Sequence, residues 1–134
     1  MVTIGVLALQ GDVAEHARAL ENSGARVSLV RRQDELARVD GLVIPGGEST
    51  TMSKLLVSFD LFDALGERIA AGMPVYGTCA GMIMLASTVL DGRDDQRCFG
   101  ALDMVVRRNA FGRQIDSYEE DLDVEGIEAG PFHA

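Results

Sequence analysis

The chain has 134 residues, 47% apolar and 25% charged, the balance of one globular domain long enough to bury a core. No apolar run approaches the roughly 18 residues of a membrane span, and a net charge of −9 argues against a nucleic-acid partner. Two cysteines, Cys79 and Cys98, lie far apart without a CxxC pair, which excludes a disulfide framework and a zinc motif and fits a reducing cytoplasm.

The acidity is local. Residues 116–128, DSYEEDLDVEGIE, contain only acidic charges and read as a solvated strand pair, with the rest close to neutral. At the other end, MVTIGVLALQGD has no basic leader and reads as a strand, not a signal peptide.

The run over 2–9 has the continuous apolar character of a strand buried on both faces. Asp12 and Glu15 have the spacing of a capping box. Val13, Ala17 and Leu20 follow on one helical face, and Gly24 closes that helix. A second strand is expected over 25–30, a short helical turn over 34–39, and a third strand over 41–47, running into glycines. Ser49 or Thr50 is expected to cap a helix through Leu56. Asp60 is expected to cap another, with Leu61, Phe62, Leu65 and Ile69 buried and Gly72 as its stop. The fourth strand is expected over 74–78, and 80–90 reads as a helix apolar on nearly every side. Alternation at these lengths predicts an α/β fold with a parallel sheet. After the turn-rich DGRDDQ, segments within 98–109 and 113–126 read as strands without helices between them, an antiparallel extension of the sheet.

In open parallel sheets, ligand sites form at the C-terminal strand ends. LQGD, PGGEST and GTCAG all fall there. Gly77-Thr78-Cys79-Ala80-Gly81 has the spacing of a nucleophile elbow, in which small neighbours let a strand turn sharply into a helix. Amides at the helix start would stabilise a thiolate at Cys79, and the Ala80 amide points where an oxyanion would form. A buried free cysteine in a glycine-rich turn fits the pentapeptide alone equally well. Cys98 has no such setting and reads as a packed thiol. Pro45 to Thr50 is not a P-loop. Its glycines can bring backbone amides close to a ligand, with Gly47 as a second oxyanion donor and Gly46, Glu48 and Ser49 beside the substrate. Arg108, at the end of a strand-like run, could hold a substrate carboxylate bidentately.

GVLALQGDVAEH, LVIPGGESTTM, GTCAGMIML and RRNAFGRQIDSYEEDL, in this order, resemble the glutaminase-subunit family of pyridoxal 5′-phosphate synthase, a class I (triad) glutamine amidotransferase family. The resemblance runs along essentially the whole chain and implies a three-layer, flavodoxin-like α/β fold with a mostly parallel central sheet, incomplete at the C-terminus. It implies hydrolysis of L-glutamine to glutamate and ammonia, with ammonia passed to a partner synthase subunit, a TIM barrel, and it calls for no cofactor, metal, nucleic acid or membrane. By motif position it makes Cys79 the nucleophile, Gly47 and Ala80 the oxyanion donors, Gly46, Gly47, Glu48 and Ser49 the glutamine loop, and Arg108 a glutamine contact.

The same resemblance implies that residues 1–134 form a single amidotransferase domain without the family's C-terminal third, where its His-x-Glu base pair lies. Neither histidine stands in such a motif. His16 reads as a helix-surface or partner-facing residue, and His133, in PFHA, is not the base. The alternative is a catalytically incompetent module that binds only glutamine or the synthase. A related amidotransferase subunit of histidine biosynthesis shares the elbow, but LALQGD, GGESTTM and RNAFGRQ fit it less well. Because LQGD borders the site, synthase docking would order the oxyanion hole near Gly46 and Gly47.

Overall fold

Residues 2–90, 96–107, 121–122 and 132–133 are described by the computed structural model. The first apolar run forms β1 (Thr3–Leu7), followed by α1 (Val13–Asn22), β2 (Arg26–Val30), α2 (Gln33–Leu36), β3 (Gly41–Ile44), α3 (Ser49–Ser58), α4 (Phe62–Ala70) and β4 (Val75–Gly77). The four strands make one parallel sheet in the order β2-β1-β3-β4. Val6 stands opposite Leu29 on one side and Val43 on the other, and Val43 stands opposite Tyr76. The strand order reverses at β1, so the crevice between the C-terminal ends of β1 and β3 is the topological switch point of a flavodoxin-like sheet.

Right-handed crossovers place α1 on one face and α2 to α4 on the other. The second face carries the main core. Leu7, Leu42 and Ile44 from the strands meet Leu36, Met52, Leu56, Leu61 and Leu65 from the helices, each no more than 2% exposed. No residue of α1 is fully buried. Val13, Ala17 and Leu20 do form its inner face, but each remains half-buried.

Several boundaries differ from the sequence reading, each for a local reason. Glu48, not Ser49 or Thr50, caps α3. Asp60 does not cap α4. It occupies a left-handed turn at φ 58° between the helices, and its carbonyl and carboxylate accept from the Gln33 side chain. Asp12 makes no side-chain cap bond at α1, so the capping box does not form. Gly24 and Gly72 do end their helices, at φ +89° and +101°.

The helix expected over 80–90 stops early, as α5 (Ala80–Leu85), and continues as the strand β5 (Ala86–Leu90). The Met84 and Ala86 carbonyls accept from the Phe99 and Gly100 amides at 2.7 and 3.2 Å, partners that replace the next helical turn. Ser87, Thr88 and Val89, weak helix formers, suit an extended chain. β5 pairs with β6 (Leu102–Arg107) in parallel, with a bulge, in a two-stranded sheet of its own. That pairing corrects the antiparallel extension expected for this segment. The antiparallel pairing is found in the short β7 (Asp121–Leu122) and β8 (Phe132–His133). Most of the acidic segment lies outside the described residues.

Residues 96–99 strap α3 and α4 from outside. The Arg97 amide donates to Ser53 Oγ at 2.8 Å, and its guanidinium lies 4.0 Å over the Phe62 ring, which stacks on Phe99 at 4.5 Å. Among the described residues no helix is long and apolar enough to cross a membrane.

Candidate active site

The three strand-end segments meet. β3 ends at Ile44 and runs through Pro45 into Gly46 and Gly47, while β4 ends at Gly77 beside it. The Thr78 amide donates to the Ile44 carbonyl at 3.2 Å, adding one rung beyond the β3–β4 ladder. The chain then reverses at Cys79, whose φ of 50° and ψ of −113° are unusual for a residue with a side chain. α5 starts at once, with the Gly81 amide on the Thr78 carbonyl at 2.8 Å and the Ile83 amide on the Cys79 carbonyl at 3.2 Å.

This turn explains its flanking glycines. A Cβ at Gly77 would stand 2.6 Å from the Gly81 carbonyl carbon, and one at Gly81 would collide with the Ile44 carbonyl oxygen. The backbone of α5 thus packs directly on the ends of β3 and β4, which only glycine permits. Ala80 is buried and Cys79 is exposed. The result is the strand–turn–helix geometry of a nucleophile elbow.

The glycine loop lies against that elbow. A Cβ on Gly46 would stand 3.2 Å from Cys79 Cβ and 3.4 Å from Asp12 Oδ1. Gly47 has φ +139°, and a side chain there would run into the Gln10 carboxamide. Gln10 closes over the loop, with Oε1 accepting from the Glu48 amide at 3.0 Å and Nε2 reaching the Gly46 carbonyl at 3.4 Å.

Glu48 is held by its own helix. Oε1 accepts from the Thr50 amide at 3.0 Å, and Oε2 accepts from the Thr51 amide and hydroxyl, both at 2.7 Å. Burial pushes its carboxyl upward, but these bonds outweigh burial and bring the pKa down to about 2. Ser49 faces inward at 2% exposure, its hydroxyl 3.3 Å from Gln96 Nε2, and Gln96 Oε1 accepts from Thr50 Oγ1 at 3.2 Å. In this arrangement Ser49 supports the loop from beneath.

The structure therefore brings together Gly46, Gly47, Glu48, Cys79 and Ala80, with Ser49 behind them. Arg108 lies outside the described residues. Cys98 is half-buried beside Gln96, and burial pushes its thiol pKa up, as expected of a packing residue. His133 sits in β8, where only its backbone is described.

Sequence reasoning missed two side-chain groups. His16 is not simply a surface residue. Its Nε2 lies 3.0 Å from Thr78 Oγ1 and 3.5 Å from Asp12 Oδ2. The i,i+4 spacing of Asp12 and His16 was a usable signal for their pairing, but nothing pointed to Thr78, 62 positions away. Gln96 carried no signal. Among the described residues no group of His, Cys, Asp and Glu is placed to hold a metal ion.

The model of the SNO glutamine amidotransferase family matches residues 6–134. A pyridoxal 5′-phosphate synthase subunit PdxT from Saccharopolyspora erythraea is 64% identical over 98% of this chain and 62% of its own length. The PdxT subunit from Mycobacteroides abscessus is 65% identical over 98% of this chain and 67% of its own. The chain thus spans roughly two-thirds of the length of these curated relatives. A crystal structure of a glutamine amidotransferase superposes with a TM-score of 0.83 at 46% identity, over 97% of this chain and 68% of that one.

Proposed function

The chain belongs to the SNO glutamine amidotransferase family, and from that premise we propose that it carries the nucleophile half of a glutaminase serving pyridoxal 5′-phosphate synthesis. The observation that supports this most is the strained elbow at Cys79 packed against the Gly46–Gly47 loop at the switch point of the sheet. The family description supports glutamine as the substrate, and the names of the PdxT relatives support a synthase partner.

The chemistry follows from the residue types. The Cys79 thiolate attacks the side-chain amide carbon of glutamine, and the carbonyl oxygen becomes an oxyanion facing the Ala80 and Gly47 amides. Collapse of this intermediate breaks the C–N bond and releases ammonia, leaving a thioester. Water then cleaves the thioester to glutamate and restores the thiol. Glu48, fixed as the α3 cap, holds the loop in register with Ser49 beneath it, while Gly46 and Arg108 complete the substrate site. Protonation of the departing nitrogen and activation of the water call for a histidine oriented by a carboxylate. The family places that pair in a His-x-Glu motif, and the 134 residues contain none.

The synthase subunit is the recipient of ammonia, in the cytoplasm, in a heteromeric complex. Gln10 bonds both the Gly46 carbonyl and the Glu48 amide, so synthase docking on the Gln10 segment would act on the oxyanion loop.

The test is ammonia release from glutamine with the synthase subunit present, for this chain and for one extended to the relatives' length. The extended chain is expected to turn over and its Cys79→Ala form to be silent. The proposal fails if the extended, folded chain is silent, or if Cys79→Ala leaves its rate unchanged.

A further inference from the structure

We infer that His16 is a positioning residue for the nucleophile turn, acting through Thr78. The inference rests on the reading of Cys79 as the nucleophile and adds a residue to that site.

A non-glycine residue at φ 50°, ψ −113° persists only where its surroundings over-determine it. Three holds on the turn are backbone bonds: the Thr78 amide to Ile44, the Thr78 carbonyl to Gly81 and the Cys79 carbonyl to Ile83. All three leave the Thr78 side chain free to rotate. The fourth hold comes from the opposite face of the sheet, where His16 Nε2 lies 3.0 Å from Thr78 Oγ1.

The ring is oriented for this contact. Asp12 Oδ2 lies 3.5 Å from the same nitrogen, so the carboxylate and the Thr78 hydroxyl face one edge of the ring, and the tautomer sets whether Nε2 donates to the hydroxyl or accepts from it. The His16 side chain is 20% exposed while Asp12 is 50% exposed. A solvated i,i+4 helix pair would leave both partners open to water. Here the ring is turned inward, and no other residue of α1 makes a side-chain bond to the elbow among the described residues.

Asp12 stands beside the glycine loop, where a side chain added at Gly46 would meet its Oδ1 at 3.4 Å. Asp12, His16 and Thr78 therefore lie in a row between that loop and the residue before the nucleophile. They fix the side chain on one side of Cys79, as the buried Ala80 fixes the other.

The experiment reads Cys79 directly and needs no turnover. Alkylation of the 134-residue chain by iodoacetamide at pH 7.5 is followed at Cys79 and Cys98 by peptide mass spectrometry, with thermal midpoints recorded in parallel. His16→Ala and Thr78→Val are each expected to slow Cys79 by about fivefold, the effect of one lost hydrogen bond. The double variant is expected to be no slower than either single one, because both remove the same contact. His16→Gln, which keeps a donor at the same reach, and Thr78→Ser, which keeps the hydroxyl, are expected to restore the parent rate. The inference is overturned if the single variants leave Cys79 unchanged, if their effects multiply in the double variant, or if His16→Gln is as slow as His16→Ala. It is also overturned if Cys98 becomes faster and the midpoint falls in step with the loss at Cys79, which would mark general loosening. A parent chain whose Cys79 reacts no faster than N-acetylcysteine would instead remove the nucleophile reading, a failure visible without any variant.

Discussion

α5 and α1 hold the same turn from opposite faces of the sheet, and they do so by different physical means. α5 buries Ala80, Gly81, Met84 and Leu85 and sets its backbone directly on Ile44. α1 buries no residue completely, and reaches the site through His16, while Gln10 and Asp12 approach from the segment just before it. Close packing resists displacement because small shifts forfeit many contacts at once. Polar ties across a half-buried face can be broken and remade at little net cost. Cys79 is thus anchored to a rigid side, and the side that closes over the glycine loop is the adjustable one.

The largest effect expected is on the rigid side. Leu56, fully buried in α3, should cost about 3 kcal/mol when replaced by Ala, combining lost transfer energy with a cavity. Leu20→Ala in α1 should cost roughly 1 kcal/mol, since its side chain is only half-buried. Urea denaturation of the two variants tests the asymmetry directly. Equal losses would mean that α1 is as firmly packed as α3 and would remove the contrast.

A smaller effect of opposite sign is expected at the turn itself. If the rigid side holds Cys79 in a strained conformation, glycine there should relieve the strain. Cys79→Gly is expected to be more stable than Cys79→Ala by about 1 kcal/mol, measured as a higher thermal midpoint at pH 7. In an unstrained turn the order would reverse, because glycine loses more backbone entropy on folding.

How much of this was legible in the sequence follows the same division. The packed side was readable because its signals are periodic or steric. GLVI had to be a buried strand, and Gly77 and Gly81, two residues on either side of Cys79, announced an elbow. The parallel sheet and the meeting of PGGEST with GTCAG followed from strand ends alone. The adjustable side was not readable in this way. Asp12 looked like a helix cap by residue type, and although its spacing allowed a pair with His16, only the fold shows that pair turned toward Thr78. The end of α5 was hidden for a related reason. AGMIMLASTVL is apolar throughout, so its periodicity could not reveal that Phe99 and Gly100, far along the chain, take its carbonyls.

Glu48 gives a pH signature of about 1 kcal/mol, the usual worth of a helix cap. Its pKa in the fold, about 2, lies below the ordinary glutamate value of 4.5. The stability it contributes is therefore fully present above about pH 4.5 and is lost as pH falls toward 2. Glu48→Ala should lower the thermal midpoint at pH 7 by a few degrees, with the gap to the parent closing between pH 4.5 and 2. A gap that stayed constant over that range would show that the capping bonds do not depend on the charge.

The smallest effect should come from β4 on the α1 side. Tyr76 is 63% exposed and borders an open apolar groove with Ile4, Leu20, Val43, Pro74 and Val75. Its neighbours on that face offer few contacts to lose, and threonine is as well suited to a strand. Tyr76→Thr should therefore change the stability of this chain by less than about 0.5 kcal/mol, read by the same urea titration. The contrast with Leu56 sharpens if the value is near zero, because an apolar side chain on the α1 side of the sheet would then be nearly dispensable while one packed on the other side is not. A loss above 1 kcal/mol would show that the groove is already packed and that the α1 face is less adjustable than its exposure implies.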